Sequence, residues 1–379
     1  MDALLAKIQD SPELGAVASA VAAGARCVHV DGIAAPAKAP VLAALQSALG
    51  RQILVVCPTE DQADKLHLDL LNSVPAGELR LFPSIEAALY EMVGVDREVA
   101  GDRLATLGDL VTGRARIVVT SASALLPGIV PREALASRIH RLRTGSEYPL
   151  SDLISLLANS GYARAELTTE PGDFSVRGGI VDLFPPTSDS PIRIEFFGDD
   201  VDSIRFFDAA SQRSHTPADD VTIGPATELL ASDELRQKAA RVLEGLLERE
   251  AARLADEGET RAAAKLDTTV REHIDALASG RAAHGLEYYL PLLYEARHTL
   301  VDYLADGALI VVDEPLRMKA QCEELLVELE ALHETRVRSG ELLRLEAPIF
   351  RDFDQLVELL AQRQTVYLTL LSQIGRAHV

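Results

Sequence analysis

Short apolar runs and amphipathic stretches alternate through the first 134 residues. Arg26–Val30, Ile53–Cys57, Leu79–Phe82 and Ile117–Thr120 read as short buried strands. Helical periodicity fills the stretches 41–49, 60–73 and 100–113 between them. Such alternation predicts a largely parallel sheet flanked by helices. The pattern changes near residue 135. One helix is expected between Ser146 and Gly161, starting after Pro149, and β-runs follow at 174–176, 179–184, 192–197 and 203–207. The stretch from Pro191 to Asp208 alternates as a hairpin turning at Gly198-Asp199. Ser232 and two acids then open a long charged helix, as a cap and a helix dipole require. Its expected apolar stripe is Leu235, Ala239, Val242, Leu243, Leu246, Leu247 and Leu254. A strand at 308–312, a helix at 316–333 and a last strand at 365–370 complete the pattern.

The predicted fold class is α/β, with a parallel-sheet domain split in sequence and a small α+β domain inserted into it. The expected boundaries are 1–134 for the first part, 135–228 for the insertion and 229–373 for the second part. Ile374-Gly-Arg-Ala-His-Val379 is what the start of a common sequencing adapter encodes in one frame, so 374–379 is expected to be a non-native tail on a truncated product.

Charge narrows the function. Among 379 residues the net charge is −21, whereas a duplex-gripping module carries a basic face. Cys27, Cys57 and Cys322 are isolated, with no zinc or disulfide spacing, and the nine histidines carry no metal motif. The N-terminus lacks a signal-peptide core, and no apolar run reaches the length of a membrane span. A monomer in a reducing cytoplasm is the expectation, with no membrane role, no metal and no catalytic residue.

Two motifs carry chemistry. Residues 32–39, Gly-Ile-Ala-Ala-Pro-Ala-Lys-Ala, lie between a strand and a helix and have the register of a phosphate-binding loop. Gly32 and Lys38 match; Ala37 replaces the second glycine and Ala39 replaces the magnesium-binding hydroxyl. A Cβ at Ala37 crowds the phosphate nest, and Ala39 has no oxygen for Mg²⁺. Pro36 is expected to remove a further loop N–H donor. An Ala/Pro-rich loop that happens to hold a glycine and a lysine is the alternative. Later, Leu309–Val312 ends in Asp313-Glu314, a strand followed by two acids in the pattern that holds Mg²⁺ and polarises water in ATPases. A buried strand with two carboxylates at its end reads the same way.

Together the motifs reach a family. Phe82-Pro83, Tyr90, Asp96-Arg97-Glu98 and Gly101–Leu107 carry part of the likeness. Gly161–Arg164, Gly172–Pro185, Ile192–Arg205 and Gly285–Tyr294 carry the rest. The chain resembles the N-terminal module of the transcription-repair coupling factors, which is itself similar to the excision-repair protein UvrB. The likeness implies a degenerate RecA-like fold. UvrB has an intact phosphate loop and an aromatic DNA-clamping hairpin. Here only Glu91–Gly101 could hold that hairpin, and none of those residues is aromatic.

The family's polymerase-binding and motor domains lie beyond this module. RNA polymerase and double-stranded DNA are therefore implied partners of those domains, as are ATP and Mg²⁺, and no cofactor is expected here. Lys38 is expected to be a relic with no nucleotide to hold. The implied role of this chain is to recruit UvrA. The resemblance assigns the contacts to Arg164, Arg177, Arg193 and Glu195, and a neighbouring aromatic, Phe184, Phe196 or Phe197, completes a mixed patch. Ser175 stands where UvrB commonly has another arginine. The other readings are a truncated UvrB or active ATPase, and a clamp masking the UvrA surface in the full protein.

Overall fold

Strands that are apolar at every position need cover on both faces, and the fold supplies it. The structure is a computed structural model that describes residues 7–91, 95–281, 283–294 and 296–370, without the side chains of 86–88. The expected tail, 374–379, lies outside these residues, as do 92–94 of the segment expected to lack the hairpin. The chain begins with α1 (Pro12–Ala22), β1 (Cys27–Asp31), α2 (Ala35–Leu49), β2 (Ile53–Cys57) and α3 (Glu60–Leu70). There follow β3 (Leu79–Phe82), α4 (Glu86–Glu91), α5 (Arg97–Thr112), β4 (Ile117–Ser121) and α6 (Arg132–Ala136). Helix α2 starts at Ala35, well before the expected residue 41. Pro36 falls in its first turn, where the N–H has no intrahelical partner. Pro40 lies inside the helix and gives up only the bond to a first-turn carbonyl.

A second sheet follows. Its elements are β5 (His140–Arg143), α7 (Leu150–Asn159), β6 (Ala163–Arg164), β7 (Asp173–Arg177), β8 (Ile180–Leu183), β9 (Ile192–Phe197), β10 (Asp200–Phe207), β11 (Ser214–Ala218) and β12 (Asp220–Ile223). Six strands order as β11-β10-β9-β8-β7-β6, while β5 and β12 pair separately. One face of the six-stranded sheet packs Phe174, Val181, Leu183, Ile192, Ile194, Val201 and Ile204 against Leu153, Leu156 and Leu157 of α7. The hairpin at Gly198 forms as expected, with the glycine at φ 66°.

The chain then returns to the first sheet through α8 (Asp233–Asp256), α9 (Thr260–Ser279), the short α10 (Leu290–Leu293), β13 (Leu309–Asp313), α11 (Pro315–Arg338), α12 (Phe353–Leu360) and β14 (Gln364–Thr369). Ser232 caps α8 by accepting the Leu235 N–H. Val242 is a correction to the expected stripe: it is 43% exposed, while Ala239, Leu243, Leu246 and Leu247 face inward. The partner of α8 is α9, which is too charged to be read as a core helix. The first sheet is parallel in all pairings, in the order β1-β14-β13-β2-β4-β3. Strands β2, β4 and β13 are buried at every position. Strands from both ends of the chain thus interleave in one sheet.

The two sheet units are joined through a seam that leaves little room. A Cβ at Gly101 on α5 would stand 2.5 Å from the Pro186 carbonyl oxygen of the second unit, so this approach requires glycine. Two residues on, Arg103 is wholly buried. Its Nε and Nη2 donate to both carboxylate oxygens of Glu228 at 2.5 and 3.0 Å, and Nη1 donates to the Pro83 carbonyl at 2.8 Å. The guanidinium lies 4.1 Å over the Phe82 ring. Removing one partner of a buried ion pair strands the other charge. Arg103→Met is expected to lower stability by about 3–5 kcal/mol. Urea denaturation of the variant and parent chains measures it.

Candidate functional site

Two regions hold the residues singled out in the sequence. The first is the carboxyl edge of the larger sheet, where open α/β sheets bind ligands. Strand β14 lies between β1, which leads into Gly32, and β13, which ends in Asp313. Gly32 has φ 83°, a conformation that favours glycine. The N–H groups of Gly32 and Ile33 both donate to the Thr369 carbonyl, at 2.8 and 3.2 Å. The Thr369 hydroxyl donates to Asp31 Oδ1 at 2.6 Å. Ala37 donates its N–H to Ala34. Three of the loop's N–H donors are therefore engaged within the protein.

Lys38 and Ala39 point inward from α2, and both are buried. Lys38 Nζ lies 2.6 Å from Asp313 Oδ1 and 3.5 Å from Glu314 Oε1. Only 8% of Lys38 and 4% of Asp313 is exposed, so this charge pair is shielded from solvent. Lys38, expected to be a relic with no nucleotide to hold, is an ion-pair partner of Asp313 and Glu314. Burial pushes the Asp313 carboxyl up, and Lys38 partly opposes that rise. Burial, followed by the nearby Asp313, also pushes up the Cys57 thiol. Glu314 adopts left-handed geometry at φ 46°, which is costly for a residue with a Cβ. Its Oε1 accepts the Leu370 N–H at 2.9 Å. That carboxylate is turned back to the end of β14.

The second region is the face of the smaller sheet turned away from α7. Register places Ser175, Asp182, Arg193 and Arg205 in one cross-strand row. Arg177, Ile180, Glu195 and Ser203 form the next. Asp182 is the centre of this face, and its side chain is buried. It accepts Arg193 Nε and Nη2 at 2.7 and 2.9 Å, and Arg177 Nη2 at 2.5 Å. Arg193 also lies 4.7 Å over the Phe207 ring, and its hydrogen bonds to Asp182 push its pKa further up. Its side chain is only 16% exposed, against 48% for Arg177. Glu195 accepts from Ser203 at 3.0 Å and from Arg205 at 3.5 Å.

The predicted residues do not all meet. Arg177, Arg193 and Glu195 share the outer face. Arg164 is exposed on the edge strand β6, in register with Phe174, a residue of the helix-covered face. Phe184 is half-buried beyond β8, where its N–H and carbonyl bond to Asp173 and Gly172. Ser175 is buried, and its hydroxyl accepts from Thr168 at 3.1 Å. Asp182 was visible in the sequence only as one of several acids that could pair with the arginines. Its alternation within Val181-Asp182-Leu183 placed it on the opposite face from the two apolar neighbours, and that was the available signal.

Other places fit a ligand less well. A cavity of about 760 Å³ lies at the seam and is lined in part by Glu228, Glu272 and Glu287, with Arg97, Arg281 and Arg297. Burial, and then the field of Glu228, raises the Glu287 pKa. Among the described residues, Glu330, His333 and Glu334 bring potential metal-ligand atoms within 4.8 Å of one another. Glu334 is already paired with Arg344 at 2.7 Å, and His333 Nε2 meets the Tyr288 hydroxyl at 3.2 Å.

Comparison with known proteins agrees with the second region. Residues 140–229 match the UvrB interaction domain family. The transcription-repair-coupling factor of Myxococcus xanthus is 32% identical over 329 residues, which is 83% of this chain and 26% of that protein. That of Bacillus subtilis (strain 168) is 29% identical over 343 residues, 90% of this chain and 29% of that protein. The chain thus spans under a third of the length of these relatives. Residues 140–229 are thus similar to the UvrB interaction domain family, and the chain as a whole is similar to part of the transcription-repair-coupling factors.

Proposed function

We propose that this chain is a non-catalytic, protein-binding module of a transcription-repair-coupling factor, and that the outer face of its smaller sheet docks UvrA. In this reading the larger sheet, a degenerate RecA-like scaffold, carries and orients that face. The insertion at 135–228 supplies the docking surface, and 1–134 with 229–373 supply the scaffold. Recruitment of UvrA to RNA polymerase stalled at damaged DNA would be its task within the longer protein. The polymerase, double-stranded DNA, ATP and Mg²⁺ belong to parts of that protein beyond this chain.

The observation that carries the reading is the arginine pair on Asp182. Two guanidinium groups share one buried carboxylate, so the face holds an excess positive charge on a strongly acidic chain. Arg177 is the more exposed of the two and can offer its remaining N–H groups to a partner carboxylate. Arg193 and Asp182 hold it in place.

The silence of the larger sheet is supported by its own cation. Lys38 sits against Asp313 and Glu314, where a working ATPase would have Mg²⁺ and water. The neighbouring Asp31 adds a third carboxylate, bound to Thr369. A polyphosphate would meet three acids and one lysine already in use. Glu314, held against Leu370, is badly placed to polarise a water.

Two outcomes are expected. Arg177→Ala is expected to weaken UvrA binding by about 2–5 kcal/mol, roughly thirty-fold or more. Arg193 still neutralises Asp182, so the variant should fold. Calorimetric titration with UvrA reads the loss, and full affinity in a folded variant would remove Arg177 from the interface. The second outcome concerns Lys38→Met, which is expected to cost about 3–5 kcal/mol of stability at neutral pH. An acid whose folded-state pKa exceeds its unfolded value binds its proton more tightly when folded. Acid then favours the folded form, and the gain is lost as pH rises through the folded pKa. Without Lys38 the upward push on Asp313 is unopposed, so the deficit should shrink as pH falls. Denaturation midpoints across a pH series measure it; a deficit constant with pH would contradict the shielded pair.

A further inference from the structure

Phe196 and Phe197 end β9, and strand alternation sends them to opposite faces. Phe196 packs on the core beneath the smaller sheet. Phe197 is 81% exposed, the most exposed of the large apolar residues among those described. Its side chain therefore adds little to the folding energy. Its row on the outer face continues directly from Arg193 and Glu195, two residues apart along the strand.

The surroundings of Phe197 keep it uncovered. The β7–β8 turn beside it is Gly178-Gly179, which offers no side chain. The Gly179 carbonyl accepts the Phe196 N–H at 2.7 Å, and a Cβ on Gly179 would come within 2.8 Å of the Phe196 oxygen. Glycine thus lets the turn close onto the end of β9 without covering the ring. Ile180, half-buried, stands opposite Glu195, and Arg177 with its exposed guanidinium stands opposite Ile180 one strand further on. An exposed aromatic on the same face as a pre-positioned arginine is the composition of an interface anchor.

We infer that Phe197 is the apolar anchor of this docking face, inserting into an apolar pocket on the partner while Arg177 meets a carboxylate at the pocket rim. The inference rests on the proposed UvrA reading and adds to it the residue that supplies buried area. The charge around the ring is mixed: Asp200 is its cross-strand partner, while the two arginines that share Asp182 lie further along the same face and attract an acid there. The Phe197 backbone is held by the hairpin, so little backbone freedom is lost on binding.

Three variants test it with the full chain and purified UvrA. Phe197→Ser is expected to weaken binding by about tenfold or more, with the melting temperature unchanged because the ring is exposed. Phe197→Leu, which keeps an apolar side chain, is expected to retain most of the affinity. Arg177→Ala serves as the control for the face. If Phe197→Ser binds like the parent while Arg177→Ala loses affinity, the anchor is overturned and the docking reading stands. If Phe197→Leu is as weak as Phe197→Ser, burial in an apolar pocket is overturned as the cause. If the parent chain does not bind UvrA at all, the docking reading fails and takes the anchor with it.

Discussion

The buried pair Arg103–Glu228 is the constraint on which the arrangement depends. It joins a helix of the larger unit to the segment where the chain leaves the smaller one. Both oxygens of Glu228 are taken, and the guanidinium is further held by a carbonyl and an aromatic ring. Such a pair gives little net stability over an apolar seam, yet it tolerates few alternative geometries. Together with the close approach at Gly101, it fixes how one sheet sits on the other. A docking face on the smaller sheet is thereby presented in a set direction.

The two candidate regions use charge in opposite ways. At the edge of the larger sheet, one lysine is paired with two acids, and the Gly32 and Ile33 N–H groups are bonded to Thr369. Charge there is satisfied internally and holds the strand ends together. On the smaller sheet, one acid is shared by two arginines, and the surplus faces outward. A satisfied cluster is a poor binding site, whereas a partly satisfied one beside exposed apolar surface is a good one. The contrast is what the proposed function rests on: one edge with its charges paired internally, and another face with charge left to offer.

Much of this was legible in the sequence, for identifiable reasons. The strands of the parallel sheet are uninterrupted apolar runs, and the β9–β10 hairpin has both alternation and a glycine at its turn. The altered residues of the Gly32–Ala39 loop were equally plain. What escaped depends on distance in the chain. Nothing local to Lys38 reveals that Asp313, far along the sequence, will neutralise it. The start of α2 was missed because prolines read as helix breakers even in a first turn, where they cost little. Val242 was placed in the wrong stripe because an apolar residue at helical spacing need not face the partner helix. Arg164 and Arg177 lie close in sequence, and only strand register separates their rows.

The central claim is that the outer face of the smaller sheet binds UvrA while the edge of the larger sheet takes no part. Hydrogen–deuterium exchange on the whole chain, with and without UvrA, addresses both halves at once. The account predicts slower exchange in the peptides covering 173–183 and 192–205, and no change in those covering 32–39 and 309–316. Protection at 32–39 and 309–316, with the smaller sheet unaffected, would contradict it.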